Sequence, residues 1–118
     1  LEILYSSIAQ NDSLSLQLLL NAADKAAEHN DTIGVNIILS SQSVQSLAPD
    51  EYIHLFHEVS SFFQKNNPHK AIELLNEAIQ YGQNHNRNDL LFEEWDKTYH
   101  YYRTIALYYI NVSSMNIL

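Results

Sequence analysis

The stretch Phe56-His57-Glu58-Val59-Ser60-Ser61-Phe62-Phe63-Gln64-Lys65-Asn66-Asn67-Pro68-His69-Lys70-Ala71-Ile72-Glu73-Leu74-Leu75-Asn76-Glu77-Ala78 carries two helical patterns around one break. Ile53, Phe56, Val59, Phe62 and Phe63 recur at helical spacing, which predicts a helix from Pro49 to near Lys65. His54, His57, Glu58 and Ser61 fall on its other side and read as a solvated polar face. Asn66-Asn67-Pro68 stops that helix and restarts the chain. Beyond it, Ala71, Ile72, Leu74, Leu75, Ala78 and Ile79 are predicted to face inward as far as Asn84. Lys70, Glu73, Glu77 and Gln80 are predicted to face water.

Upstream, Leu1–Ala9 reads as the end of a helix closed by Gln10-Asn11-Asp12. Asp12 or Ser13 then caps a helix running to His29 with Leu16, Leu19, Leu20, Ala23, Ala26 and Ala27 on one face. Asn30-Asp31 breaks it, and Asp31 or Thr32 caps the next segment. Gly34-Val35-Asn36-Ile37-Ile38-Leu39 is β-branched enough for a strand, but a lone strand has no partner, so Ile33–Leu47 is read as one helix. Downstream, the loop Asn84-His85-Asn86-Arg87-Asn88 leads to a last helix, capped by Asn88 or Asp89, that nothing breaks before Asn111. Trp95, Tyr99, Tyr102, Ala106 and Tyr109 form one apolar stripe on it; Leu91, Tyr101, Ile105, Tyr108 and Val112 form a second. A helix apolar on most sides is expected to be enclosed by neighbours, by a further domain or by a second copy of itself.

The composition agrees with an all-α fold of about six helices ending in a long one. In 118 residues, 46% of them apolar, there are two glycines and two prolines. A β-sandwich would need turn residues about every 8–12 positions. The absence of cysteine excludes disulfides and thiolate metal sites and fits a reducing, cytoplasmic setting. No apolar run reaches the ~18 residues of a membrane span. The N-x-S/T triplets at Asn11, Asn30 and Asn111 are read as accidental, since no secretory signal accompanies them. The net charge of −8, with Lys25, Lys65, Lys70, Arg87, Lys97 and Arg103 scattered, argues against binding nucleic acid or an anionic membrane. The chain starts without methionine inside a helical pattern, so it is expected to be a single helical-repeat domain, residues 1–118, cut from a longer protein.

Leu19-Leu20-Asn21-Ala22-Ala23 and Leu74-Leu75-Asn76-Glu77-Ala78 echo one another, and both lead into Asn/His-rich loops. Phe56, Val59, Ser60 and Phe63, followed by Ala71, Leu75 and Ala78, resemble one tetratricopeptide repeat, in which small residues let two antiparallel helices approach closely. Here the turn is one residue short and Asn66-Asn67-Pro68 replaces the family's glycine turn. Trp95, Thr98, Tyr99 and Tyr102 resemble the opening of another repeat, with a bulky Tyr99 where a small residue is usual. That resemblance implies a right-handed stack of helix hairpins. The Asn-rich, cysteine-free texture of the whole chain is also similar to the sensor domains of Gram-positive peptide-responsive transcriptional regulators. This second resemblance implies a short peptide as ligand and a separate, upstream DNA-binding domain; a homodimer is expected from the apolar sides of the last helix.

Three mid-helix amides, Asn21, Asn36 and Asn76, are candidates to pair with the backbone of an extended peptide; the competing reading is solvent-facing filler. Trp95, Tyr99, Tyr101, Tyr102, Tyr108 and Tyr109 are candidates for an interface, against ordinary packing. His54 and His57 share a helical turn, but His54-Leu55-Phe56-His57-Glu58 fits no zinc-helix pattern, so no metal and no cofactor is expected. Without a glycine-rich phosphate loop, a nucleophile elbow or paired carboxylates in an apolar setting, no enzyme is expected either. Glu93-Glu94 and Asp50/Glu51 read as capping and solvated charge. The chain is therefore expected to bind a peptide or protein segment, or else to serve purely as a dimerisation scaffold.

Overall fold

Proline's fixed φ and missing N–H suit the first turn of a helix, and both prolines open one, at Pro49–Phe62 and Pro68–Asn84. The computed structural model of the chain describes residues 7, 8, 10, 11 and 13–117, with side chains as far as residue 107. Among these the elements run α1 (Leu16–Glu28), α2 (Thr32–Leu39), α3 (Gln42–Gln45), α4 (Pro49–Phe62), α5 (Pro68–Asn84), a 3-10 turn (Asn88–Leu90) and α6 (Phe92–Ile117), with no strand. Ser7, Ile8 and Gln10 are helical too. The remainder of the helix predicted over Leu1–Ala9, and Asp12, lie outside the described residues. No described helix is long and apolar enough to cross a membrane.

Short polar side chains set the helix ends. Ser15 caps α1, its Oγ accepting the Leu18 N–H at 3.3 Å, so the helix starts later than Asp12 or Ser13 would place it. Asp31 Oδ1 accepts the Gly34 N–H at 2.8 Å and opens α2, and Asn67 Oδ1 accepts the Lys70 N–H at 3.2 Å and opens α5. The C-termini of α1 and α5 close alike. Asn30 and Asn86 take left-handed φ values of 51° and 57°, and the next residue's N–H reaches back five positions, Asp31 to Ala26 O and Arg87 to Gly82 O. Each is a Schellman closure with asparagine in glycine's place.

Three further boundaries differ from the sequence reading. Ile33–Leu47 is two helices, because the chain turns at Ser40-Ser41 and α3 is fastened elsewhere. Ser43 Oγ accepts the Leu14 N–H at 3.0 Å and donates to the Asn11 carbonyl at 2.7 Å, tying α3 to the approach to α1. The fourth helix ends at Phe62, short of Lys65. Neither Asn88 nor Asp89 caps the last helix: both lie in the 3-10 turn, and Asp89 instead accepts two hydrogen bonds from the Arg87 guanidinium at 3.1 Å.

Burial follows from the pairing. α1 packs on α2 and on α4, α4 on α5, and α5 on α6. Leu19, Val35, Ile38, Leu55, Val59, Phe63, Leu75 and Leu91 are fully enclosed, and so are the small residues Ala23, Ala26, Ser60, Ala71 and Ala78 that let the helix backbones approach. The chain measures 55 × 35 × 17 Å. With Cα radii of about 2.3 Å and axes about 8–10 Å apart, the thin dimension admits two helix layers and no third. At Gly82 the approach is close: a Cβ there would lie 2.6 Å from Leu91 Cδ2.

Candidate functional site

Two helix layers leave a gap where α2 and α5 diverge. Asn36, Leu39, Ser40, Gln45, Tyr52, Phe56, Glu73, Leu74 and Glu77 line a cavity of about 330 Å³, and a second of about 250 Å³ continues past Asn36 and Glu73 to Lys70 and His69. Its floor is aliphatic and aromatic, and its walls carry amides and carboxylates. Lys70, predicted to face water, is 5% exposed. Its ammonium donates to Asn36 Oδ1 at 2.6 Å and to Glu73 Oε1 at 2.9 Å, so a cation whose stem is buried spans the gap and holds α2 to α5.

A column of rings backs this groove. Phe56 stacks on Tyr52 (4.5 Å between centroids), Tyr52 on Tyr81 (3.7 Å) and Tyr81 on His85 (3.9 Å), joining α4 to α5. Burial, with the Glu77 carboxylate and Tyr81 adding to it, pushes the Tyr52 hydroxyl up to about 12. The sequence reading did not single out this column. Its signal was present in part, since Tyr52 and Phe56 are four apart on one helix and His85 follows Tyr81 by four at the end of the next.

The three candidate amides are not brought together. Asn36 lines the groove. Asn76 lies at the α5–α6 contact, donating to Tyr102 Oη at 3.2 Å. Asn21 is exposed on α1 and accepts from Gln17 Nε2 at 3.0 Å within its own helix.

The long last helix divides its aromatics. Tyr101 is buried, its hydroxyl has no partner among the described residues, and burial raises its pKa. Trp95, Tyr99 and Tyr102 are exposed, together with Phe92 (78%) and Leu107. The enclosure expected for both stripes therefore reaches the Leu91/Tyr101 side and leaves the Trp95/Tyr99/Tyr102 side open. The side chains of Tyr108 and Tyr109 lie outside the described residues.

Between α4 and α6 stands a polar cluster that corrects two expectations. Glu94, predicted as solvated charge, is 4% exposed, and His57, predicted on a solvated face, turns toward it. His57 Nδ1–H donates to Glu94 Oε1 at 2.8 Å, while Lys97 Nζ donates to His57 Nε2 at 3.3 Å and to Ser61 Oγ. Glu94 Oε2 is buried without a donor among the described residues. These residues mimic part of a hydroxyl-nucleophile relay, with Ser61 beside an amine and a His–carboxylate pair behind it. The surroundings do not complete it: Ser61 sits at the C-terminal end of α4, where the helix presents carbonyls rather than the free N–H groups an oxyanion needs. Asp50, His54, Glu58 and Glu93 line the same cavity of about 250 Å³, yet among the described residues no three His, Asp or Glu side chains converge as a metal site would require. Comparison with protein-family models, characterised proteins and solved structures finds no match to this chain.

Proposed function

We propose that this chain is a peptide-binding helical-repeat domain, taking an extended segment in the groove between α2 and α5. The observation that carries the reading is the groove itself, with Asn36 on its wall and Leu39, Tyr52, Phe56 and Leu74 on its floor. An extended peptide brings unpaired N–H and C=O groups that an amide matches from either side, and side chains that an aromatic floor covers. The tetratricopeptide-like reading draws support from the contacts, because α1 packs on both its own partner α2 and the first helix of the next pair, α4. As the sensor half of a regulator, the domain would act by population shift: a ligand bridging α2 and α5 favours one spacing of the helix pairs.

The test is selection from a displayed heptapeptide library against the purified chain. The enriched peptides are then measured with Asn36→Ala and, as a control off the groove, Asn21→Ala. A shared sequence pattern is expected, with affinity at least about fivefold weaker in Asn36→Ala and unchanged in Asn21→Ala, as the loss of a buried hydrogen bond implies. Absence of any pattern, or peptides that bind Asn36→Ala as well as the parent, would end the reading.

A second reading has its own observation. The open row Phe92, Trp95, Tyr99 and Tyr102 suits self-association through α6, because aromatic rings dominate interface energetics. It is compatible with the first as the dimerisation half of the same domain, and alone it describes a scaffold with no small ligand.

A further inference from the structure

We propose that the cavity between α4 and α6 receives a guanidinium or primary ammonium group carried on a short alkyl stem. Glu94 is nearly enclosed; Oε1 accepts the hydrogen bond of His57 Nδ1–H, and Oε2 meets no donor among the described residues. A buried carboxylate oxygen without a donor is rare in folded proteins and marks a place where a cationic donor belongs. The chain's nearest cation does not supply it, because Lys97 is committed to His57 and Ser61. Asp50, Glu58 and Glu93 line the same cavity, and Ile53 and Leu90 give it an apolar wall. Carboxylates beside an apolar wall suit a cation whose methylene stem is covered while its head is held by charge. No three donors are placed to coordinate a metal ion among the described residues, which favours an organic cation forming its hydrogen bonds one at a time. A guanidinium suits such a lining, since its planar fork can donate to two carboxylate oxygens. The net charge of −8 raises the local concentration of any such cation. This cavity is distinct from the α2–α5 groove, so either assignment can fail without the other.

The experiment is a titration of the intact chain with butylguanidinium and with its neutral isostere butylurea, followed through the ring resonances of His54 and His57. Saturable binding of butylguanidinium is expected, at least about tenfold tighter than butylurea, in line with a charge-assisted hydrogen bond in a buried site. Glu94→Gln keeps the side chain's shape and is expected to weaken binding by a similar factor. Asp50→Asn leaves the buried His57–Glu94 pair untouched and is expected to weaken it by a smaller factor that fades with salt, so the idea stays testable if Glu94→Gln folds poorly. A capped arginine tripeptide then separates the sources: tighter binding than butylguanidinium assigns the cavity to a peptide side chain, weaker binding to a free small cation. Equal affinity for butylguanidinium and butylurea, or binding unaltered by both substitutions, overturns the proposal.

Discussion

At Gly82 a single methyl group would meet a packed neighbour. The Leu91 side chain it would strike lies within 2.6–2.9 Å of the added atom and is fully buried. Gly82→Ala is expected to cost about 1–3 kcal/mol in urea unfolding, as overpacked cores do, and Leu91→Ala in the same chain should remove most of the added penalty. Tyr101 should behave in the opposite way. Its buried hydroxyl has no partner among the described residues, so Tyr101→Phe is expected to leave stability unchanged or raise it by up to about 1 kcal/mol; a marked loss would mean that the hydroxyl has a donor or acceptor after all. Tyr52 carries a pH dependence. Its pKa in the folded chain is pushed up to about 12, above the ordinary tyrosine value of about 10, so its contribution is complete below pH 10 and is lost as pH rises toward 12. Alkaline denaturation followed by circular dichroism should show that loss, and Tyr52→Phe should flatten it.

At the scale of elements, the starts of α2, α4 and α5 were legible because their chemistry is local. Pro49, Pro68, Asp31 and Asn67 act on groups within a turn of themselves, and a reading of neighbours suffices. The broken segment after Asp31 was not legible: the side chain that fastens its second piece, Ser43, bonds to groups 29 and 32 residues away. The same distance hid the burial of Lys70 and Glu94, whose partners Asn36 and His57 lie 34 and 37 residues off, where periodicity says nothing. In the candidate site, Asn36 was found by its residue type, while the ring column behind it needed α4 and α5 placed side by side. Ser43→Ala, which leaves the Leu14 N–H and Asn11 carbonyl without their partner, is expected to cost about 1–2 kcal/mol and to speed amide exchange in α3. On α6, Trp95→Lys with Tyr99→Lys should leave the melting temperature within a few degrees, because both side chains are exposed. If the open stripe joins two copies, the same pair should convert a dimer to a monomer in sedimentation.

At the scale of the molecule, two helix layers carry two surface features of different kinds. One is an amide- and acid-walled groove over aromatic rings; the other is an uncovered aromatic row on a helix that is ~39 Å long at 1.5 Å per residue. The acidic charge is common to both and argues for ligands with basic or neutral segments. The proposed peptide groove and the proposed self-association row lie on different helices, so the two readings can be separated by where binding slows amide exchange. The most direct measurement is therefore hydrogen exchange on the chain saturated with the tightest peptide from the library. Slowed exchange confined to α2 and to the Lys70–Glu77 half of α5 is the predicted result. Unchanged exchange there, or slowing found only along α6, would contradict the groove as the binding site.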